Sequence, residues 1–305
     1  SVFFTILSMV LLSVVFAGLI FQTRTTFSEQ SKIASIKAAA LNNFALGLES
    51  DISRGLSIAG FRAIVSVQEE ISRTNTFMND SEASVLEALM NGTINGNFVL
   101  LMNQSTLPEW LSRIKVEAAK VGLLLNVSFG NVSVSQSSPW QVDFVASISF
   151  NVTDLSSTAT FFRKRAAAIS VSILGFEDPL YTVFTNGRII RAINSTPYEG
   201  NYVSGADTTN LKNHINVLYY ANSTGPSFLM RLEGNLSNSS VGIEGIVYSP
   251  DLQAQGLPVY ERSSVDYVYF GNSSPTIYII NQTFEDWFRL DSEHLAKYQV
   301  SGLAK

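Results

Sequence analysis

The residues of this chain that could do chemistry form one tight cluster near its C-terminus, Asp291-Ser292-Glu293-His294. Asp291 and His294 have the i, i+3 spacing that places two side chains on one helix face, where they could exchange a proton or hold a metal ion. The other interpretation is a capped, solvated helix start, with Asp291 as the N-cap and His294 in a structural role. We favour the second, because His214, the chain's other histidine, lies far away in the sequence.

Larger signatures of catalysis are absent from the sequence. There is no cysteine, so disulfides, thiolate metal sites and cysteine nucleophiles are excluded. There is also no HExxH pair, P-loop, dinucleotide-binding fingerprint or G-x-S-x-G motif. We therefore expect no enzyme, no cofactor and no catalytic metal. A structural calcium site built from Asp251, Asp266 or Asp286 stays open.

Covalent modification is the second kind of chemistry that the sequence predicts. Asn-x-Ser/Thr triplets accept N-linked glycans. The chain has 12 of them, although its 22 Asn and 59 Ser and Thr would give about four by chance. None lies before residue 79. We predict N-linked glycans, the alternative being accidental motifs in Ser- and Asn-rich strands, at Asn79, Asn91, Asn103, Asn126, Asn131, Asn151, Asn194, Asn222, Asn235, Asn238, Asn272 and Asn281.

The position of some of these asparagines along strands favours glycosylation. Apolar residues alternate from Val142 to Val152, so they share one face of a predicted strand. Asn151 falls on the opposite face, and Asn126 and Asn131 are flanked by apolar residues in the same way. A sugar on the polar face would leave the core undisturbed. Aromatic runs such as Tyr267–Phe270 could also hold sugars, but core packing is their default role.

The N-terminal segment, residues 1–21, is an uncharged and almost continuous apolar run. It is just long enough to cross a bilayer as a helix, and it could instead pack against copies of itself. No basic leader precedes it, so we expect that a leader was cleaved in front of it, unless the chain was trimmed artificially. The residues expected to pack in a filament core are Val2, Phe3, Phe4, Ile6, Leu7, Val10, Leu11, Val14, Val15, Ala17 and Gly18.

The rest of the chain predicts three segments of different structure. Residues 27–73 continue the helix, because apolar residues recur every three or four positions. Residues 1–74 thus form a hydrophobic and then amphipathic helix, and 75–122 form a helical connecting region. Residues 123–305 predict an extracellular, β-rich head, in one or two sub-sheets. The expected fold class is α+β, with a long N-terminal helix followed by a mainly antiparallel, sandwich-like head.

Candidate strands of the head were assigned from short apolar or alternating runs. They are Leu125–Val134, Val142–Val152, Ala159–Phe162, Ile169–Leu174, Tyr181–Phe184, Arg188–Ile193, Val217–Tyr220, Phe228–Leu232, Val241–Tyr248, Val265–Phe270 and Thr276–Ile280.

With its apolar N-terminal helix, the amphipathic continuation and a head rich in glycosylation motifs, the chain resembles archaeal type IV pilin-like proteins. The resemblance implies cleavage by a prepilin peptidase, a stay in the membrane before assembly, and a pilus assembly machinery as partner. It also implies a helical homopolymer in which the helices bundle in the core. Thr5 stands where bacterial pilins typically carry Glu, and the head is larger than is usual for these pilins.

We therefore expect a pilin-like structural subunit of an extracellular filament, serving adhesion or surface attachment. Its partners would be copies of itself. The net charge of −5 argues against nucleic acid as a partner. The alternative is a monomeric, membrane-anchored surface glycoprotein that acts as an adhesin or receptor.

Overall fold

The computed structural model describes residues 2–155, 159–280 and 284–305, with side chains described for Lys32 and from Ser35 onward within these ranges. The chain divides into two compact units. The first unit contains Ser1–Ile52, Leu111–Gly130 and Ser147–Ala166. The second unit contains Ser53–Trp110, Asn131–Ala146 and Ala167–Lys305.

One long helix and a series of short ones make up the helical part of the described residues. The helices are α1 (Val2–Thr74), α2 (Ser81–Asn91), α3 (Leu107–Lys120), α4 (Pro179–Phe184), α5 (Thr209–Val217), α6 (Phe228–Leu232), α7 (Ser249–Ala254), α8 (Asp266–Phe270) and α9 (Ser292–Lys297), with 3-10 turns at Leu100–Met102 and Ser301–Leu303.

The strands form small antiparallel sheets. They are β1 (Thr93–Ile94), β2 (Asn97–Phe98), β3 (Leu123–Ser138), β4 (Gln141–Asp154), β5 (Thr160–Ser172), β6 (Tyr220–Ser223), β7 (Gly242–Gly245), β8 (Ile277–Ile279) and β9 (Arg289–Asp291). Strands β3, β4 and β5 hydrogen-bond in sequential order, and the others pair as β1–β2, β6–β7 and β8–β9.

The long helix α1 follows its predicted apolar stripe from Leu48 onward. Leu48, Ile52, Leu56, Ala59, Ala63, Val67 and Ile71 are all buried. Before Leu48 the buried positions are Leu41 and Ala45, whereas Ala40 is exposed and Phe44 is half-buried. In the second unit, the indole ring of Trp110 packs directly against Gly55. A Cβ at position 55 would lie only 2.6 Å from Trp110 Cε2, so a side chain there would clash.

The central strand β4 confirms the predicted alternation. Val142, Phe144, Ala146, Ile148, Phe150 and Val152 are all buried. Such period-two burial is expected for a strand with one face on a core.

The second unit also contains a core built by its C-terminal elements. Its buried members come from α5, β6, α8, β9 and α9, among other segments, and they are Tyr202, Leu211, Ile215, Ala221, Ile246, Val265, Val268, Ile280, Phe288, Leu290, Leu295, Tyr298 and Val300.

The expected β-rich, sandwich-like head is wrong. Three predicted strands are helices: Tyr181–Phe184 lies in α4, Phe228–Leu232 is α6, and Val265–Phe270 falls on α8. Arg188–Ile193 lies outside the named strands. These runs are short and mostly apolar, so periodicity alone could not separate a buried helix from a buried strand. The fold is α+β with small sheets instead.

The expectation of a helix that is first hydrophobic and then amphipathic also needs correction. Among the described residues, no helix is long and apolar enough to cross a membrane. The side chains of the residues expected in a filament core, Val2 to Gly18, lie outside those that the structure describes.

Candidate functional site

The Asp291–His294 pair lies at the start of α9, where Asp291 acts as the N-cap. Its side chain accepts hydrogen bonds from the backbone amides of Glu293, at 3.1 Å, and His294, at 3.2 Å. This is the cap that the sequence favoured, but the expected solvation is wrong, because Asp291 and His294 are both buried. The His294 ring closes the arrangement, because its Nδ1 lies 2.7 Å from both carboxylate oxygens of Asp291.

A second carboxylate, from Glu244 on β7, meets the other side of the His294 ring. Glu244 Oε2 lies 3.2 Å from His294 Nε2, and Glu244 Oε1 lies 2.8 Å from Lys297 Nζ. Tyr298 donates its hydroxyl to Glu244 Oε1 at 2.8 Å. Ser263 donates to Asp291 Oδ2 at 2.7 Å. We call these six residues, Glu244, Ser263, Asp291, His294, Lys297 and Tyr298, the His294 cluster.

The charges of the His294 cluster stabilise each other against the cost of burial. Burial lowers the pKa of His294, but the hydrogen bonds and charges of Asp291 and Glu244 outweigh it and raise that pKa to about 9. Burial opposes ionisation of Glu244, yet His294 and Lys297 lower its pKa to about 2. The pKa of Asp291 is likewise lowered to about 2 against burial, by His294 and Ser263. Two cations therefore face two carboxylates at neutral pH.

The surroundings of His294 favour a ring that keeps its proton over one that transfers it. A general base near neutrality needs a free lone pair and a pKa close to the working pH. Both ring nitrogens of His294 face carboxylates, and Tyr267 OH also lies 3.2 Å from Nε2. An imidazolium fixed in this way is a structural cation between α9 and β7.

An open polar pocket of about 360 Å³ lies beside the cluster. Lys297 lines it, but its Nζ is already bound to the Asn222 carbonyl oxygen at 2.6 Å and to Glu244. In the part of the chain that the structure describes, no three His, Cys, Asp or Glu side chains are placed to hold a metal ion. Of the calcium candidates, Asp266 binds Arg231 and Asp251 lies 3.6 Å from Arg191.

His214, the second histidine, has the opposite surroundings. It is fully buried on α5, and neither ring nitrogen has a hydrogen-bond partner among the described residues. Its ring lies against Tyr202 and Tyr298, with centroid distances of 5.2 and 5.5 Å. Burial lowers the pKa of His214 to about 4, so the ring is neutral at pH 7. Tyr298 thus touches both histidine environments.

A second buried ionic group surrounds Arg231 on α6. Its Nη1 donates to Asp178 at 2.6 Å and to Asp266 at 2.8 Å, and all three side chains are fully buried. Tyr220 donates to Asp178 at 2.8 Å, and the Gly245 amide donates to Asp266 at 2.9 Å. Although burial opposes the charge, the two carboxylates raise the pKa of Arg231. This group fixes α4, α6 and α8 to each other.

The glycosylation candidates lie mostly at the surface. Asn281 falls outside the described residues, and Asn151 on the central strand β4 is half-buried, with its side-chain oxygen buried and unpaired among the described atoms. The other ten are exposed: Asn79, Asn91, Asn103, Asn126, Asn131, Asn194, Asn222, Asn235, Asn238 and Asn272. Ten accessible side chains support the prediction, which occupancy measurements still have to test.

Comparison with known proteins gives no relative: no family model, no curated protein and no solved structure matches this chain. The resemblance to type IV pilin-like proteins therefore stands on the sequence features alone.

Sequence reasoning missed Glu244, Arg231, Asp178 and the interior role of Asp266. Glu244 is 50 residues from His294, and Arg231 is 53 residues from Asp178. No local spacing announces such pairs. The sequence did offer one indication: Arg231 and Glu244 are charged residues within mostly apolar runs, which suggests that they are buried and paired.

Proposed function

We propose that this chain is a structural subunit of an extracellular, type IV pilus-like filament that serves adhesion or surface attachment. The N-terminal helices of neighbouring copies would bundle in the core, with glycosylated heads outside. The observation that carries the proposal is α1, one uninterrupted helix from Val2 to Thr74 whose sequence has no charged residue before Arg24. At 1.5 Å per residue its 73 residues extend over about 110 Å.

The described residues of α1 before Leu41 support an assembly surface. Ser35, Ile36, Ala38, Ala39 and Ala40 are exposed, and Ile36 is 69% exposed. From Leu41 onward the helix buries a stripe every three or four residues. Lys37, in the same stretch, is partly buried and pairs with Asp154 at 2.9 Å, so the uncovered surface consists of Ile36 and the small residues around it. Such a surface is suited to contact other helices.

The distribution of glycosylation motifs gives independent support. Motifs are absent from the first 78 residues and frequent afterwards, and ten of the asparagines in described motifs are exposed. Sugars placed only outside a helical core would leave helix–helix contacts undisturbed.

A matched pair of isoleucine variants tests the proposal. Ile36 and Ile190 are 69% and 62% exposed in the chain, so Asp at either position adds a charge to a surface without emptying a core. In a filament, Ile36→Asp would place an unpaired carboxylate between packed helices, which costs several kcal/mol. We expect Ile36→Asp to abolish filaments sheared from the cell surface, with Ile190→Asp assembling normally.

Mass spectrometry identifies the chain in the sheared fraction, and a folded-state check such as circular dichroism confirms that both variants fold. Normal filaments from Ile36→Asp would contradict the proposal. Absence of the chain from any filament, with all of it monomeric at the cell surface, would favour the surface glycoprotein instead.

A further inference from the structure

The second unit contains an aromatic pocket whose rim carries a glycosylation motif. The pocket has a volume of about 290 Å³ and is lined by Phe184, Leu257, Tyr260, Arg262, Phe270 and Asn272, among others. Asn272 begins the triplet Asn272-Ser273-Ser274 and is exposed. We refer to these six lining residues as the aromatic pocket.

The pocket presents aromatic side chains that its own chain leaves partly uncovered. Phe184 and Phe270 stack with centroids 4.9 Å apart and ring planes 6° apart. Phe184 remains 42% exposed and Tyr260 remains 49% exposed. Tyr260 is held in place because its backbone amide donates to Tyr269 OH at 2.9 Å. Exposed apolar rings of this kind are stabilised when another group covers them.

Arg262 adds a fixed polar group to the same pocket. Its Nη1 donates to the carbonyl oxygens of Tyr269 at 3.1 Å and Gly271 at 2.7 Å. Its guanidinium carbon lies 5.0 Å from the centroid of the Tyr260 ring, a cation–π arrangement. The guanidinium therefore presents further N–H donors beside the rings from a fixed position.

Gly271 lies at the end of α8, between Phe270 and Asn272. A Cβ at position 271 would lie 2.7 Å from the Tyr267 carbonyl oxygen, so the backbone here passes too close to α8 for a side chain. Phe270, at the end of the helix, and Asn272, just after it, both line the pocket.

We propose that the first sugars of an N-linked glycan on Asn272 occupy the aromatic pocket. One pyranose ring would lay its C–H face on the aromatic rings, whose faces carry partial negative charge, and its hydroxyl groups would accept hydrogen bonds from Arg262. Covalent attachment at the rim gives this sugar a high effective concentration in the pocket, which no free ligand shares. The inference rests on the glycosylation included in the proposed function.

The test is a thermal-unfolding cycle on the full glycosylated chain purified from its native cells. Asn272→Gln and Ser274→Ala both remove the acceptor motif, and Ser274→Ala keeps the asparagine. We expect each to lower the unfolding midpoint by about 3 °C. Asn103→Gln removes an exposed motif that does not line the pocket and should change the midpoint by less than about 1 °C.

The second arm of the cycle removes the aromatic ring of Tyr260 from the pocket. In a Tyr260→Ser background, Ser274→Ala should shift the midpoint by less than about 1 °C, because the sugar has lost part of its surface. Equal shifts in both backgrounds, or no shift in either, would overturn the inference even if the glycan is present.

Glycopeptide mass spectrometry of the wild-type chain separates this failure from others. A bare Asn272 overturns the inference directly, and glycans at the remaining motifs would still support a glycosylated exterior. Filament formation is decided independently, by Ile36→Asp and Ile190→Asp.

Discussion

The two histidines of this chain have the same side chain in opposite surroundings. His294 lies between two carboxylates that raise its pKa to about 9, and His214 lies among tyrosine rings, where burial lowers its pKa to about 4. Both side chains are almost fully buried. The difference shows that burial alone does not decide the charge of a side chain. The partners that the fold brings to it decide the charge.

The Arg231 group extends this comparison. Like His294, Arg231 is a buried cation between two carboxylates, but guanidinium keeps its charge at every pH at which the protein folds. The cation of the Arg231 group is therefore permanent, whereas the His294 cation is one that pH can discharge.

The largest expected effect comes from removing the carboxylate that distinguishes the two histidines. Glu244→Gln leaves His294 and Lys297 with one carboxylate between them in a buried site. We expect a loss of about 3–5 kcal/mol in the free energy of unfolding, measured by chemical denaturation. Glu293→Gln is the control, because Glu293 is exposed one residue before His294. Equal losses in the two variants would show that the cluster contributes nothing specific.

The pH dependence of stability should show both histidines at once. His294 is charged in the fold up to about pH 9, against an ordinary pKa of 6.5, so its contribution is complete below 6.5 and is lost as pH rises through 9. This limb amounts to about 3 kcal/mol. His214 acts in reverse, because its folded pKa of about 4 means that stability falls as pH decreases from 6.5 towards 4.

Together the two histidines predict that the free energy of unfolding is largest near pH 6.5. Replacing either histidine should weaken the pH dependence on one side of this maximum only. His294→Gln should flatten the alkaline limb, and His214→Phe should reduce the acid limb. Denaturation midpoints across the pH range measure both. An unchanged alkaline limb in His294→Gln would assign that limb to other groups.

A smaller effect is expected from Tyr298, which contacts both His214 and the Glu244 carboxylate beside His294. Tyr298→Phe removes a hydrogen bond to an ionised carboxylate, and we expect a loss of about 2 kcal/mol. Tyr181 provides the matched control, because it is equally buried and its hydroxyl has no hydrogen-bond partner among the described residues. Tyr181→Phe should be neutral or stabilising by up to about 1 kcal/mol. The contrast fails if the two variants unfold at the same denaturant concentration.

Features that depend on local sequence could be predicted. The alternation of β4 and the apolar stripe of α1 after Leu48 follow from periodicity, and the Asp291 cap follows from a short-range rule. Asn186-Gly187 is a dipeptide typical of tight turns, and both residues have positive φ angles, of 54° and 70°, but they follow helix α4 rather than a strand.

Two of the helices wrongly predicted as strands, α4 and α6, are preceded by residues typical of a helix start, which the assignment from periodicity did not use. Asp178 followed by Pro179 is a helix start, and Asp178 does accept a hydrogen bond from the Leu180 amide at 3.0 Å. Ser227 caps α6 in the same way, accepting from the Met230 amide at 3.4 Å. The contacts of Glu244 with His294 and of Arg231 with Asp178 had no such signal, since they depend on how distant segments fold together.

The central claim about this part of the chain is that the His294 ring stays protonated and transfers no proton near neutrality. The chain has two histidines, so a histidine-labelled sample gives two ring signals in NMR spectra. Titration should show one ring changing charge at about pH 4 and the other at about pH 9, with neither changing near 6.5. His214→Phe assigns the signals. A His294 ring that titrates near 6.5 would contradict the claim, because it would then be available as an acid or base at physiological pH.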